Sequence, residues 1–109
     1  MALDTEASGR EPTREEIDRM AGPVLLEFGA HWCGYCRALA PHLAAQLEQH
    51  PTVRHIKIED GPGKPLGRSF RVKLWPNLVF LRDGQVVTQV ARPHPDEVRD
   101  GLDAISGGG

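Results

Sequence analysis

The stretch Val24-Leu25-Leu26-Glu27-Phe28-Gly29-Ala30-His31-Trp32-Cys33-Gly34-Tyr35-Cys36-Arg37 decides the reading of this chain. It opens as a compact apolar run with one acid inside, the pattern of a central strand covered on both faces. It ends on two cysteines three residues apart. An amphipathic helix follows, with Leu39, Leu43 and Leu47 at i, i+4 and i+8, Ala40 and Ala44 beside them, and Pro41 expected to kink it.

Working outward, Thr13 and Glu16 have capping-box spacing, which predicts a short helix from Arg14 to Met20, ended by Gly22-Pro23. Val53 to Ile58 reads as a second strand, Gly61-Pro62-Gly63 as a loop, Leu66 to Phe70 as a short helix, and Leu78 to Leu81 as a third strand. Asp83-Gly84 is a hairpin signal into Val86 to Val90. Pro95 opens a last helix carrying Val98, Leu102 and Ile105 on one face. The order α-β-α-β-α-β-β-α predicts a parallel first pair of strands, an antiparallel last pair, and one mixed sheet with helices on both faces. Residues 1–12 read as a flexible tail, 13–106 as one domain and 107–109 as a short glycine tail.

At 109 residues the chain fits one domain that can bury roughly two-thirds of its unfolded surface, so no covalent staple is needed. The formal net charge of −2 argues against nucleic acid or an anionic membrane as partner. No apolar run approaches a membrane span, and the polar start from Met1 to Glu16 lacks the apolar core of a secretory signal. With Met1 as the natural start, the expected compartment is the cytoplasm.

Paired cysteines there are more often reactive or metal-binding than structural. A Cys33–Cys36 disulfide would close a very short loop and contribute only about 2 kcal/mol, so reactivity explains the pair better than stability. Cys33 directly follows a strand and opens a helix, where backbone N–H groups favour a thiolate, the nucleophilic form. Cys36, one helical turn on, can attack a mixed disulfide formed on Cys33. The expected pair is an exposed attacker and a more buried resolver, with Trp32 flanking the site and Tyr35 between the sulfurs. A structural zinc half-site is the competing reading, and His31, His42 or His55 would then have to complete it. Arg37, standing where a c-type haem motif needs histidine, excludes that cofactor.

These residues resemble the thioredoxin family. Glu27 to Arg37 is similar to its active-site segment, Pro41 to its helix proline, Trp75-Pro76-Asn77-Leu78-Val79-Phe80 to its cis-proline loop and following strand, and Arg82-Asp83-Gly84 to its final hairpin. The resemblance covers about residues 14–106. It implies an α/β thioredoxin-like fold and a protein-disulfide oxidoreductase, most simply a reductant. It makes Cys33 the nucleophile, Cys36 the resolving thiol and Pro76 a client-facing cis proline. The pair would cycle through a redox-active disulfide without cofactor or metal. The implied partners are disulfide-containing client proteins and a thioredoxin-reductase-like electron donor, the chain itself being monomeric. The first family strand reads as shortened or absent, leaving a four-stranded sheet. A redox-sensing interaction module is the alternative function.

Glu27 sits where the family has a shorter acid. In a covered strand its carboxyl suits a proton acceptor for Cys36, although a glutamate reaching the sheet edge would look the same. His55, on the next strand, falls near that acid. It is either its partner or a surface residue. Other departures are Gly29, where the family carries a second tryptophan, and Tyr35, in place of the usual proline. Cys-Gly-Tyr-Cys resembles the motif of some bacterial disulfide isomerases and leaves the redox direction open. Ala91-Arg92 replaces a glycine of the client groove, where a Cβ and a nearby cation would narrow or repolarise it. Trp75 would cover that groove, contact clients or sit in the core. His50 and His94 read as turn residues.

Overall fold

The computed structural model describes residues 11–106. The tails expected over residues 1–10 and 107–109, and any first family strand, lie outside that range. Pro12, read as tail, is already buried.

Helix α1 (Arg14–Asp18) begins with the expected capping box: the Thr13 hydroxyl accepts from the Glu16 N–H, and the Glu16 carboxylate accepts from the Thr13 N–H. Then come β1 (Pro23–Gly29), α2 (Gly34–Glu48), β2 (Arg54–Glu59), α3 (Pro65–Ser69), β3 (Asn77–Arg82), β4 (Gln85–Ala91) and α4 (Pro95–Ser106). Pro41 lies inside α2, which runs through it as one helix. The four strands form one mixed sheet in the order β2-β1-β3-β4. β1 pairs parallel with β2 and antiparallel with β3, and β3 pairs antiparallel with β4. The β3–β4 turn takes positive φ at Asp83 (52°) and Gly84 (79°), as the Asp-Gly signal requires.

Period-two alternation divides the core between the two faces of the sheet. Val24, Leu26 and Phe28 of β1 pack with Ile56, Ile58, Val79 and Leu81 under Ile17, Leu66 and Phe70. On the other face Leu25, Leu78 and Phe80 meet Leu39 and Leu43 of α2 and Val98, Leu102 and Ile105 of α4. By the same alternation Glu27 and Gly29 point to the α2 side. β1 thus aims its acid beneath the helix that opens at the cysteines.

Candidate active site

Cys33 is the N-cap of α2, and both cysteines are free thiols. Its extended backbone (φ −77°, ψ 117°) lets the sulfur turn back over the helix start, where it accepts the Cys36 N–H at 3.2 Å. The Cys33 N–H donates to Ala30 O at 3.0 Å and closes the turn from β1. The expected ranking of exposure is reversed. Cys33 is buried, at 6% exposure, and Cys36 is partly open. Gly29 makes room for the Cys36 sulfur, since an added Cβ there would lie 2.6 Å from Cys36 Sγ, and both residues line an open hollow beside the helix start.

That opening is a cavity of about 400 Å³ whose walls include Glu27, Gly29, Cys36, Arg37 and Lys57. Burial, then the hydrogen bond with Cys33, pushes the Cys36 thiol up to about 11; the Cys33 sulfur and the Glu27 carboxylate add to this, against a hydrogen bond with Ala30 that lowers it.

Glu27 is buried at 7% exposure, and a buried carboxylate requires a partner. His55 supplies one, with Nε2 at 2.7 Å from Glu27 Oε1. Of the two readings open for His55, the structure takes the acid's partner. β2 pairs parallel with β1, so His55 and Lys57 lie on the Glu27 face. His31 is exposed and its Nδ1 lies 3.2 Å from Glu59 Oε2. Among the described residues no group of three or more His, Cys, Asp or Glu side chains could hold a metal ion.

The rim is aromatic. Trp32 and Tyr35 are 65% and 60% exposed. The Trp75–Pro76 peptide is cis, and Pro76 is buried. Trp75 meets Trp32 edge to face, with ring centroids 5.4 Å apart, and its Nε1 donates to Asp60 Oδ2 at 2.9 Å. It is a half-buried wall of the rim rather than a core tryptophan. Ala91 is exposed and ends β4 opposite Asn77. The next residue, Arg92, takes the left-handed conformation (φ 50°) that glycine would adopt at no cost. Its N–H donates to Pro76 O at 2.7 Å, its Nε donates to Trp75 O at 3.0 Å, and its guanidinium lies 4.0 Å over the Tyr35 ring. Sequence reasoning placed the substituted glycine at Ala91-Arg92 and singled out Ala91. The residue that reaches the site is Arg92, and contact with Tyr35 across 57 positions leaves no local signal.

The sequence profile of the family described as Thioredoxin matches residues 7–104. Among solved structures, thioredoxin 2 from Pseudomonas aeruginosa PAO1 in its reduced form superposes with a TM-score of 0.79 and is 51% identical, covering 92% of this chain and 94% of that one. A Thioredoxin H-type from Ricinus communis is 31% identical over 78 residues, which are 72% of this chain and 66% of that protein. A Thioredoxin-2 from Pyricularia oryzae is 29% identical over 76 residues, 70% of this chain and 44% of that protein. The chain therefore spans less than two-thirds of the length of these two curated relatives.

Proposed function

The chain belongs to the thioredoxin family, and on that basis we propose that it is a thiol–disulfide oxidoreductase that reduces disulfides of client proteins. The observation that carries the reading is the pair of free thiols at the start of α2, with the Cys33 sulfur accepting the Cys36 N–H at 3.2 Å. A backbone N–H aimed at that sulfur suits the negative charge it bears as it attacks.

Cys33 Sγ⁻ attacks one sulfur of the client disulfide. A mixed disulfide forms, and the other client sulfur leaves as thiolate. Cys36 then loses its proton, attacks Cys33 Sγ and forms the Cys33–Cys36 disulfide, releasing the second client thiolate. Two electrons pass to the client, and both client thiolates take up protons. Burial, the first cause of the raised Cys36 thiol pKa, disfavours its ionisation at pH 7, so a base assists this second step. Glu27, on the wall of the same cavity, takes that proton directly or through a water, for which the cavity has room. His55 holds the acceptor in place. Trp32, Tyr35, Trp75, Pro76 and Ala91 form the surface against which the client lies. A thioredoxin-reductase-like donor returns the pair to dithiol, and no cofactor is called for. A monomer in the cytoplasm is the setting this reading implies.

The test is client trapping. Cys36→Ser leaves the attacker without its resolver and accumulates mixed disulfides on Cys33; Cys33→Ser accumulates none. If neither variant traps a client and the wild type reduces no model disulfide, the reading fails, and a redox-sensing interaction module takes its place.

A further inference from the structure

Arg92 is anchored on three sides and open to solvent on the fourth. Its backbone N–H is spent on Pro76, its Nε on the Trp75 carbonyl, and the face of its guanidinium on Tyr35. These contacts fix a long side chain that would otherwise lose considerable rotamer entropy on binding. The terminal amino groups Nη1 and Nη2 have no protein acceptor among the described residues. They stand beside Tyr35, one of the two residues between the cysteines. The surrounding cleft, about 300 Å³, is lined by Tyr35 and Pro76 together with Arg92, His42 and His94, and by no carboxylate. The left-handed backbone at Arg92 carries a cost that glycine would not, and no contact among the described residues uses the end of the fork.

We propose that Arg92 is a specificity-determining residue that selects client disulfides flanked by a carboxylate. It rests on the oxidoreductase reading and names the client chemistry for the same site. An extended client segment crossing between Tyr35 and Pro76 brings an Asp or Glu next to its cysteine against Nη1 and Nη2. A planar fork with two free amino groups matches a carboxylate bidentately, and a lysine at the same client position meets a fixed like charge instead. The aromatic ring beneath holds the cation without neutralising it.

Three peptides with one disulfide each, identical except for Glu, Ser or Lys on both sides of the attacked cysteine, supply the test. The rate of each with the reduced protein is divided by its rate with a neutral small dithiol, which removes the intrinsic effect of the flanking charges. The normalised Glu-to-Lys ratio for wild type is expected at about fivefold, the upper range for a solvent-exposed pair, and should shrink toward one near 1 M salt. Arg92→Gly, which suits the left-handed backbone, brings the ratio to about one, and Arg92→Lys restores part of it. A wild-type ratio of one or less, or an Arg92→Gly ratio equal to wild type, overturns the assignment of Arg92. In those cases reduction of the serine peptide leaves the oxidoreductase reading standing. If wild type reduces none of the three peptides, that reading falls and the Arg92 assignment falls with it.

Discussion

Glu27 and Gly29 are two residues apart on one face of β1, and between them they set the environment of Cys36. The acid lies in the wall of the cavity and the glycine makes room for the sulfur beside it. On the proposed mechanism the second chemical step draws on both that acid as base and the solvent in the cavity. Glu27→Gln removes the base and keeps the shape. It is expected to slow resolution of the mixed disulfide roughly 10- to 100-fold at pH 7, at the low end for general-base catalysis because water in the cavity substitutes in part. The attack by Cys33 should be unaffected. Rapid acid quench separates the two steps by the lifetime of the mixed disulfide. The gap should narrow as pH climbs, because a growing share of the Cys36 thiol, its pKa raised, then ionises without help. The apolar run around Glu27 was enough to foresee a buried acid. Its partner was not foreseeable in the same way, since His55 reaches it only through the parallel register of β1 and β2.

Among the elements, α2 and α4 are tied by a histidine that sequence reading left as a turn residue. His50 Nδ1 lies 2.8 Å from Gln46 O at the end of α2, and Nε2 lies 2.7 Å from Asp103 Oδ1 of α4. These contacts, the Gln46 carbonyl foremost, raise the His50 pKa above its ordinary 6.5. The folded chain then keeps a proton that the unfolded chain has already released. The contribution to stability is complete below about pH 6.5 and is lost as pH rises through the folded value. Urea denaturation of wild type should show a fall in stability as pH rises above about 6.5 that His50→Gln lacks. Equal pH slopes for the two proteins would contradict the assignment. The elements themselves were legible because their signals are local: a capping box for α1, a buried apolar run for β1, Asp83-Gly84 for the last hairpin. The exposure of the two cysteines was not, because it depends on the room left beside Gly29 after the sheet and α2 are docked.

For the whole molecule, the two apolar layers are not independent. β1 gives Val24, Leu26 and Phe28 to one face and Leu25 to the other; β3 gives Val79 and Leu81 to one, Leu78 and Phe80 to the other. Stripping either layer of helices would expose strands that the opposite layer also needs. The chain should therefore unfold in one cooperative transition, with the calorimetric enthalpy equal to the van't Hoff enthalpy. A calorimetric value well above the other would mean that the faces melt separately. The directions of the first and last strand pairs followed from connectivity, since the helix between β1 and β2 dictates a parallel pair and the tight turn an antiparallel one; the place of β1 between β2 and β3 did not. The placing of Arg92 over Tyr35 did not follow, because it joins the far end of the sheet to the start of α2.

The edge-to-face pair of Trp32 and Trp75 has an optical consequence. They are the two tryptophans of the chain, and both sit on the rim. The core contains no indole, so every photon of indole fluorescence leaves from beside Cys33. A disulfide quenches an excited indole at short range. The emission of the untouched protein is thus a built-in gauge of its redox state and of whether the rim is occupied, with no label and no background from the interior.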